Sequence, residues 1–231
     1  MKKKYITMSQ DLLYSIRVDE NPQKWIDSLA VVPQEVLLTE LETDDEKKAF
    51  WLNIYNAFVQ YILKKNPEKF KSRSSFYKAK QVTIAGKKLS LDDIEHGIIR
   101  HSKAKLSLGY TRKLFAGKFE KQFRVHQLDN RVHFALNCGA KSCPAVAYYV
   151  PADLNDQLES AVTGYLQAEC TYKDGVSEVP VLFSWFRGDF GGKKGIKKYL
   201  KKYKVIPDNS DPSLKFKKYD WTLQLSNYVT Q

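Results

Sequence analysis

Residues 133–144 read HFALNCGAKSCP and place one histidine and two of the chain's three cysteines close together. A thiolate attacks a carbonyl carbon when a nearby base takes the thiol proton and a third group holds that base, so the stretch raises thiol chemistry first. Cys143 is the leading nucleophile. Its Gly-Ala-Lys-Ser-Cys-Pro loop is built of small residues that let other groups approach, and Lys141 adds positive charge. Pro144 is expected to open a turn whose free N–H groups face the sulfur, and each of these favours the anion. Cys138 is the other candidate reactive thiol, although it falls on the apolar side of an alternating run, where burial would quiet it. Cys170 follows a helix end with no histidine near it and reads as structural.

The base must come from four histidines. On SLDDIEHGIIR the residues Leu91, Ile94 and Ile98 form an apolar face, and the ~100° per residue of an α-helix sets His96 about 150° from it. His96 is therefore expected to face solvent or a cleft, with Glu95 beside it as an orienting carboxylate. His133, ten positions before Cys143, is the alternative base. His101 and His126 read as surface or packing residues. Asn53 and Asn56 share one face of an apolar helix, where unpaired amides would cost ~1–3 kcal/mol each. Their expected work is to hold a loop's backbone, orient a histidine or line a substrate pocket, and Asn137 inside the cysteine motif joins them as a substrate-binding candidate. Zinc is the competing chemistry: His133, Cys138 and Cys143 offer three N/S ligands at spacings looser than structural knuckles, with a fourth position open. No metal or cofactor is assigned. No glycine-rich phosphate loop, H-E-x-x-H or G-x-S-x-G elbow occurs in the chain.

The elements that must position these groups begin as helices. Ser9 is expected to cap a segment carrying Leu12, Leu13 and Ile16, and Asn21-Pro22 starts a second helix that Pro33 ends. Thr43 with the acids of 44–46 caps the strongest helix, whose apolar run from Ala49 to Leu63 makes it central. Residues 81–91 read as a short hairpin around Gly86, and Ser90 with Asp93 opens the next helix. RVHFALNC alternates as a half-buried strand, with Val132, Phe134, Leu136 and Cys138 on one side and Arg131, His133, Ala135 and Asn137 on the other. Asp153 caps a helix with the stripe Leu154, Leu158, Val162, Tyr165 and Leu166. Lys173-Asp174-Gly175 is a turn, and VPVLFSWF reads as a strand. In KKGIKKYLKKYKVI, Ile196, Tyr199, Leu200 and Tyr203 form the inner stripe of a helix whose outer face is lysine.

Five stretches, AFWLNIYNAFV, LSLDDIEHGIIR, RVHFALNCGAKSCP, WFRGDFGG and YDWTL, resemble in their order the domain of unknown function 547 family, across roughly residues 45–225. The resemblance marks Asn53, Asn56, Glu95, His96, His133, Cys138 and Cys143 as motif positions. A looser analogy joins the chain to papain-like hydrolases in their circularly permuted arrangement, where histidine precedes cysteine.

The whole chain of 231 residues, 43% hydrophobic, is expected to fold as a single helix-rich α+β domain with a small antiparallel sheet. No apolar run approaches the ~20 residues of a spanning helix, so no membrane partner is expected. The basic opening MKKKYITMSQ lacks the apolar stretch of a signal peptide, and an odd cysteine count agrees with free thiols in a reducing, cytoplasmic setting. The net charge of +12 is concentrated in lysine without interleaved arginine, which makes nucleic acid a poor partner. The leading expectation is a thiol-dependent hydrolase or acyltransferase acting on a small-molecule or peptide amide or ester. The alternative is a binding module whose lysine helix contacts an acidic partner. Oligomeric state is not readable from the sequence.

Overall fold

A computed structural model describes residues 3–229; Met1 and Lys2, at the start of the basic opening, lie outside them. The elements run α1 (Lys4–Arg17), α2 (Gln23–Val31), α3 (Gln34–Leu38), α4 (Asp44–Lys65), a 3₁₀ turn (Pro67–Ser72) and α5 (Arg73–Lys78). The hairpin β1 (Val82–Ile84) and β2 (Lys87–Leu89) leads into a π-helix (Asp93–Ile99), followed by α6 (Lys118–Phe123) and a 3₁₀ helix (Asn130–Phe134). Then come α7 (Leu154–Glu169), β3 (Thr171–Lys173), β4 (Val176–Val179), α8 (Leu182–Trp185), α9 (Gly192–Lys202) and β5 (Ser213–Phe216). The architecture is helix-rich α+β. Its sheets are the antiparallel β1–β2 pair and a three-stranded β3–β4–β5 sheet in which β5 runs parallel to β4.

The organising element is α4. Thr43 Oγ1 accepts from Glu46 N–H while the Glu46 carboxylate accepts from Thr43 N–H, a reciprocal cap that satisfies donors the first turn leaves free. Every residue from Lys47 to Gln60 is buried, so the helix has no wet face, and α1 packs along it through Leu12, Leu13 and Ile16. Three amides interrupt this apolar cylinder, and each pins a different loop. Asn53 donates to Tyr149 O and accepts from Tyr149 N–H at 3.0 and 2.7 Å. Asn56 donates to Ala135 O and accepts from Asn137 N–H, both at 2.9 Å. Gln60 donates to the Asn137 side chain and accepts from Ser226 N–H at 2.9 Å. Paired backbone on both lone pair and proton turns what would be a desolvation cost into the element that fixes the cysteine loop.

Four expectations are corrected here. Ser9 lies inside α1 and bonds back to Ile6 O at 2.6 Å instead of capping the helix. The stretch 131–138 is no strand: Asp129 caps the 3₁₀ helix by accepting from Arg131 N–H, and Val132 through Leu136 are all buried. Its alternation misled because opposite sides of the turn enter two different apolar clusters, Val132 the one around α4 and Phe134 the one around α7 and α9. The segment read as a strand in VPVLFSWF is α8, reached after Pro180 ends the ladder. The Ser90 cap is as expected, with Asp93 N–H donating to Ser90 Oγ, but the helix that follows it closes i→i+5 bonds, such as Arg100 N–H to Glu95 O at 2.9 Å.

Candidate functional site

The π-helix decides where the histidine goes. Its wider turn changes the angular spacing from that of an α-helix, and of the two expected settings, solvent or a cleft, His96 takes the second: it is 6% exposed, on the floor of a cleft of about 410 Å³. Glu95, His133 and Cys138 line the same cleft. Tyr77, Trp185, Tyr219 and Trp221 contribute aromatic wall, with the last three in mutual contact at ring separations of 4.6–5.7 Å.

Beneath this floor is a buried chain of charge that the sequence reading missed. Arg100, one turn beyond His96, is fully buried and donates through Nη1 to His96 Nδ1 at 2.8 Å. Its Nε donates to Asp189 Oδ2 at 2.8 Å, and the same carboxylate oxygen accepts from His133 Nε2–H at 2.9 Å. The Phe186 ring packs on His133 at 4.0 Å and under the Arg100 guanidinium at 4.4 Å. Burial pushes the Asp189 carboxyl up, but the hydrogen bond from His133 and the charge of Arg100 together outweigh it and hold it below the usual range. Burial is also the main influence on both imidazoles and lowers both. For His96, burial and then the Arg100 charge take it to about 3; for His133, the Asp189 bond only partly offsets burial.

The tautomers follow from donor arithmetic. A guanidinium has no acceptor, so His96 Nδ1 carries the lone pair and Nε2 carries the proton. The Glu95 carboxylate 3.4 Å from Nδ1 is thus no ion-pair partner for this neutral ring; it accepts instead from Tyr55 O–H at 3.2 Å. At His133 the carboxylate must accept, which puts the proton on Nε2 and leaves Nδ1 unprotonated. One imidazole is a permanent donor and the other a carboxylate-held acceptor.

The sulfurs do not stand as expected. Cys138 and Cys143 are disulfide-bonded, with Cα atoms 6.1 Å apart, so neither is the free thiol that the odd cysteine count suggested. Cys143 is 5% exposed and lines a different groove from the histidines. Its partners are Cys138 N–H at 2.9 Å and Tyr219 O–H at 3.1 Å, and no histidine bonds to it. Pro144 opens no helix turn, because the chain after it runs to a bridge between Val146 and Tyr228, and Lys141 reaches outward toward Asp220. Cys138, the sulfur that lines the histidine cleft, also touches Tyr219 O–H, at 3.2 Å. Burial raises the Tyr219 phenol well above its ordinary value, so it stays a donor.

Asn53, Asn56 and Asn137 lie outside the cleft lining and serve the backbone; Asn137 donates to Pro144 O at 2.7 Å and accepts from Gly139 N–H, shaping the cysteine loop from inside. Cys170 is a free thiol whose pKa burial pushes up to about 12. His101 is buried on Val125 O, and His126 is exposed beside Asp44. Among the described residues no three His, Cys, Asp or Glu side chains gather as a metal ion would require, and no helix is long and apolar enough to cross a membrane.

The chain belongs to the family described as protein of unknown function, DUF547, whose model matches residues 38–166, more than half of its length. The match covers the cysteine motif, Glu95, His96, Arg100 and His133, and stops short of Asp189 and the aromatic wall from Trp185 to Trp221. No curated protein and no solved structure matches the chain.

Proposed function

We propose that the cleft is the active site of a thiol-dependent hydrolase or acyltransferase for amides or esters, with Cys138 as its nucleophile in place of Cys143. The observation that carries the reading is that Cys138 shares one apolar-walled cleft with a carboxylate-held imidazole, His133, and a neutral donor imidazole, His96.

The working form is the reduced one, generated when a dithiol reductant opens the Cys138–Cys143 bond and is itself oxidised to a disulfide. The Cys138 proton passes to His133 Nδ1, Asp189 stabilises the resulting imidazolium, and Tyr219 O–H donates to the thiolate. The sulfur adds to the acyl carbon. His96 Nε2–H donates to the acyl oxygen, where negative charge develops, and a neutral imidazole suits that role because it holds its proton without titrating near pH 7. The imidazolium returns its proton to the departing amine or alkoxide, and water or a second acceptor then releases the acyl group from sulfur. His96 is thus the electrophile and His133 the base. The aromatic walls fit an acyl group with apolar substituents.

The test is turnover of a panel of p-nitrophenyl acyl esters and peptide p-nitroanilides by reduced protein. Cys138→Ser is expected to abolish turnover, Cys143→Ser to retain it without added reductant, and His133→Gln to lower kcat by at least ~10²-fold. Retained turnover in Cys138→Ser would overturn the assignment.

A further inference from the structure

The mouth of the cleft carries a second, unrelated feature. Residues 103–112 form a hairpin closed by a Lys103–Arg112 bridge and by Ala104 N–H to Thr111 O at 3.0 Å. Its tip is tied to the site, since Gly188 N–H donates to Leu108 O at 2.7 Å and Lys103 Nζ donates to Gly109 O. Leu106 and Leu108 also line the cleft. The hairpin is therefore held in place, yet it turns its largest apolar side chains outward. Leu106 is 93% exposed, and Leu114 and Phe115, just past the hairpin's base, are 91% and 92% exposed. Nothing in the fold covers them, although residues of this kind are ordinarily the first to be buried.

Charge says what could. The segment 103–121 holds Lys103, Lys105, Arg112, Lys113, Lys118 and Lys121 against one acid, Glu120, which Lys113 already neutralises at 3.1 Å. Arg112, Lys118 and Lys121 are exposed and have no ion-pair partner among the described residues. Separate apolar prongs interleaved with unpaired cations match the two halves of a lipid interface. The prongs enter the acyl boundary, and the cations meet anionic headgroups. A flat protein partner would more naturally meet a contiguous apolar patch with a polar rim.

We propose that the segment 103–121 docks the protein on an anionic lipid surface, with the cleft mouth at Leu106 and Leu108 facing the bilayer. Peripheral docking of this kind needs no spanning helix. It is also independent of the thiol step, so it is read by binding alone.

The experiment is co-sedimentation of the full chain with vesicles of phosphatidylcholine, pure or containing 30% phosphatidylserine. Wild type is expected to partition onto the anionic vesicles at least tenfold more strongly than onto the neutral ones, and to release as salt is raised. Leu106→Ser/Leu114→Ser/Phe115→Ser is expected to weaken anionic binding at least tenfold with an unchanged thermal melt, as side chains more than 90% exposed should allow. Arg112→Glu/Lys118→Glu/Lys121→Glu is expected to do the same. No binding by wild type, equal binding to both vesicles, or full binding by the triple serine variant would overturn the proposal. Light scattering provides the remaining arm: a wild-type dimer that the serine variant loses would make the patch a contact between copies of this chain, and the lipid assignment would fall.

Discussion

Breaking the Arg100–Asp189 pair is expected to cost far more than breaking any surface pair in the molecule. The guanidinium side chain is 1% exposed and the carboxylate 0%, with Nη2 2.7 Å from Oδ2, whereas pairs such as Lys204–Asp208 stand more than 70% in water. Exposed pairs contribute ~0–1 kcal/mol. Removing one member of a buried pair strands the other as an uncompensated charge, at ~3–5 kcal/mol. Asp189→Asn leaves the Arg100 charge in that position, and Arg100→Met leaves the carboxylate with His133 and the Lys103 ammonium, 3.6 Å from its other oxygen. Combining the two removes both charges together, so the double variant should lose about 2 kcal/mol less than the sum of the singles, a coupling within the range seen for contacting residues. Urea unfolding followed by tryptophan fluorescence gives all four stabilities. Single losses under ~1 kcal/mol, with additivity to within ~0.5 kcal/mol, would refute the claim that this pair is the structural base of the site.

Three further outcomes follow from the same geometry. His96 titrates at about 3 when folded and near 6.5 when unfolded, so in that window the unfolded chain binds a proton the folded one refuses. Stability is therefore fully present above about pH 6.5 and is lost as pH falls, by ~1.4 kcal/mol per pH unit from this group alone. His96→Gln should flatten the dependence of the urea midpoint between pH 4.5 and 6.5; an unchanged slope contradicts the assignment. Asn56→Ala strands Ala135 O and Asn137 N–H inside the core and should cost ~2–4 kcal/mol by the same unfolding assay. Gly139 sits at φ +88°, where an added Cβ would come within 2.8 Å of buried Leu63, so Gly139→Ala should lower stability by ~1–2 kcal/mol, and a neutral change would show that the cysteine loop relaxes freely.

Much of the frame was legible in the sequence because it is written locally. The Thr43–Glu46 and Ser90–Asp93 caps, the hairpin around Gly86, the stripe of α7 and the inner face of α9 each depend on residues a few positions apart. Asn53 and Asn56 announced themselves as polar groups needing partners, although those partners, 44 to 96 residues away, were invisible. The candidate site was half legible. Glu95, His96, His133 and Cys138 do line one cleft, but Asp189 joins His133 across 56 residues of chain. Its one local signal was an acid among glycines and aromatics in WFRGDFGG. His96 does line a cleft, one of its two expected settings, but it is buried more deeply than a 3.6-residue period implied, because the π-helix closes i→i+5 bonds. Cys143 drew attention through its loop chemistry, yet the groups it actually touches are Cys138 and Tyr219, the latter 76 residues on.

The central claim is that Cys138 is the activated sulfur, and rate-resolved alkylation tests it most directly. The protein is reduced, exposed to iodoacetamide from pH 5 to 9, and digested so that mass spectrometry follows Cys138, Cys143 and Cys170 separately. The account predicts that Cys138 labels fastest, with an apparent pKa below the ordinary ~8.5 that moves upward in His133→Gln. Labelling of Cys138 no faster than Cys170, or a profile that ignores the loss of His133, would contradict it.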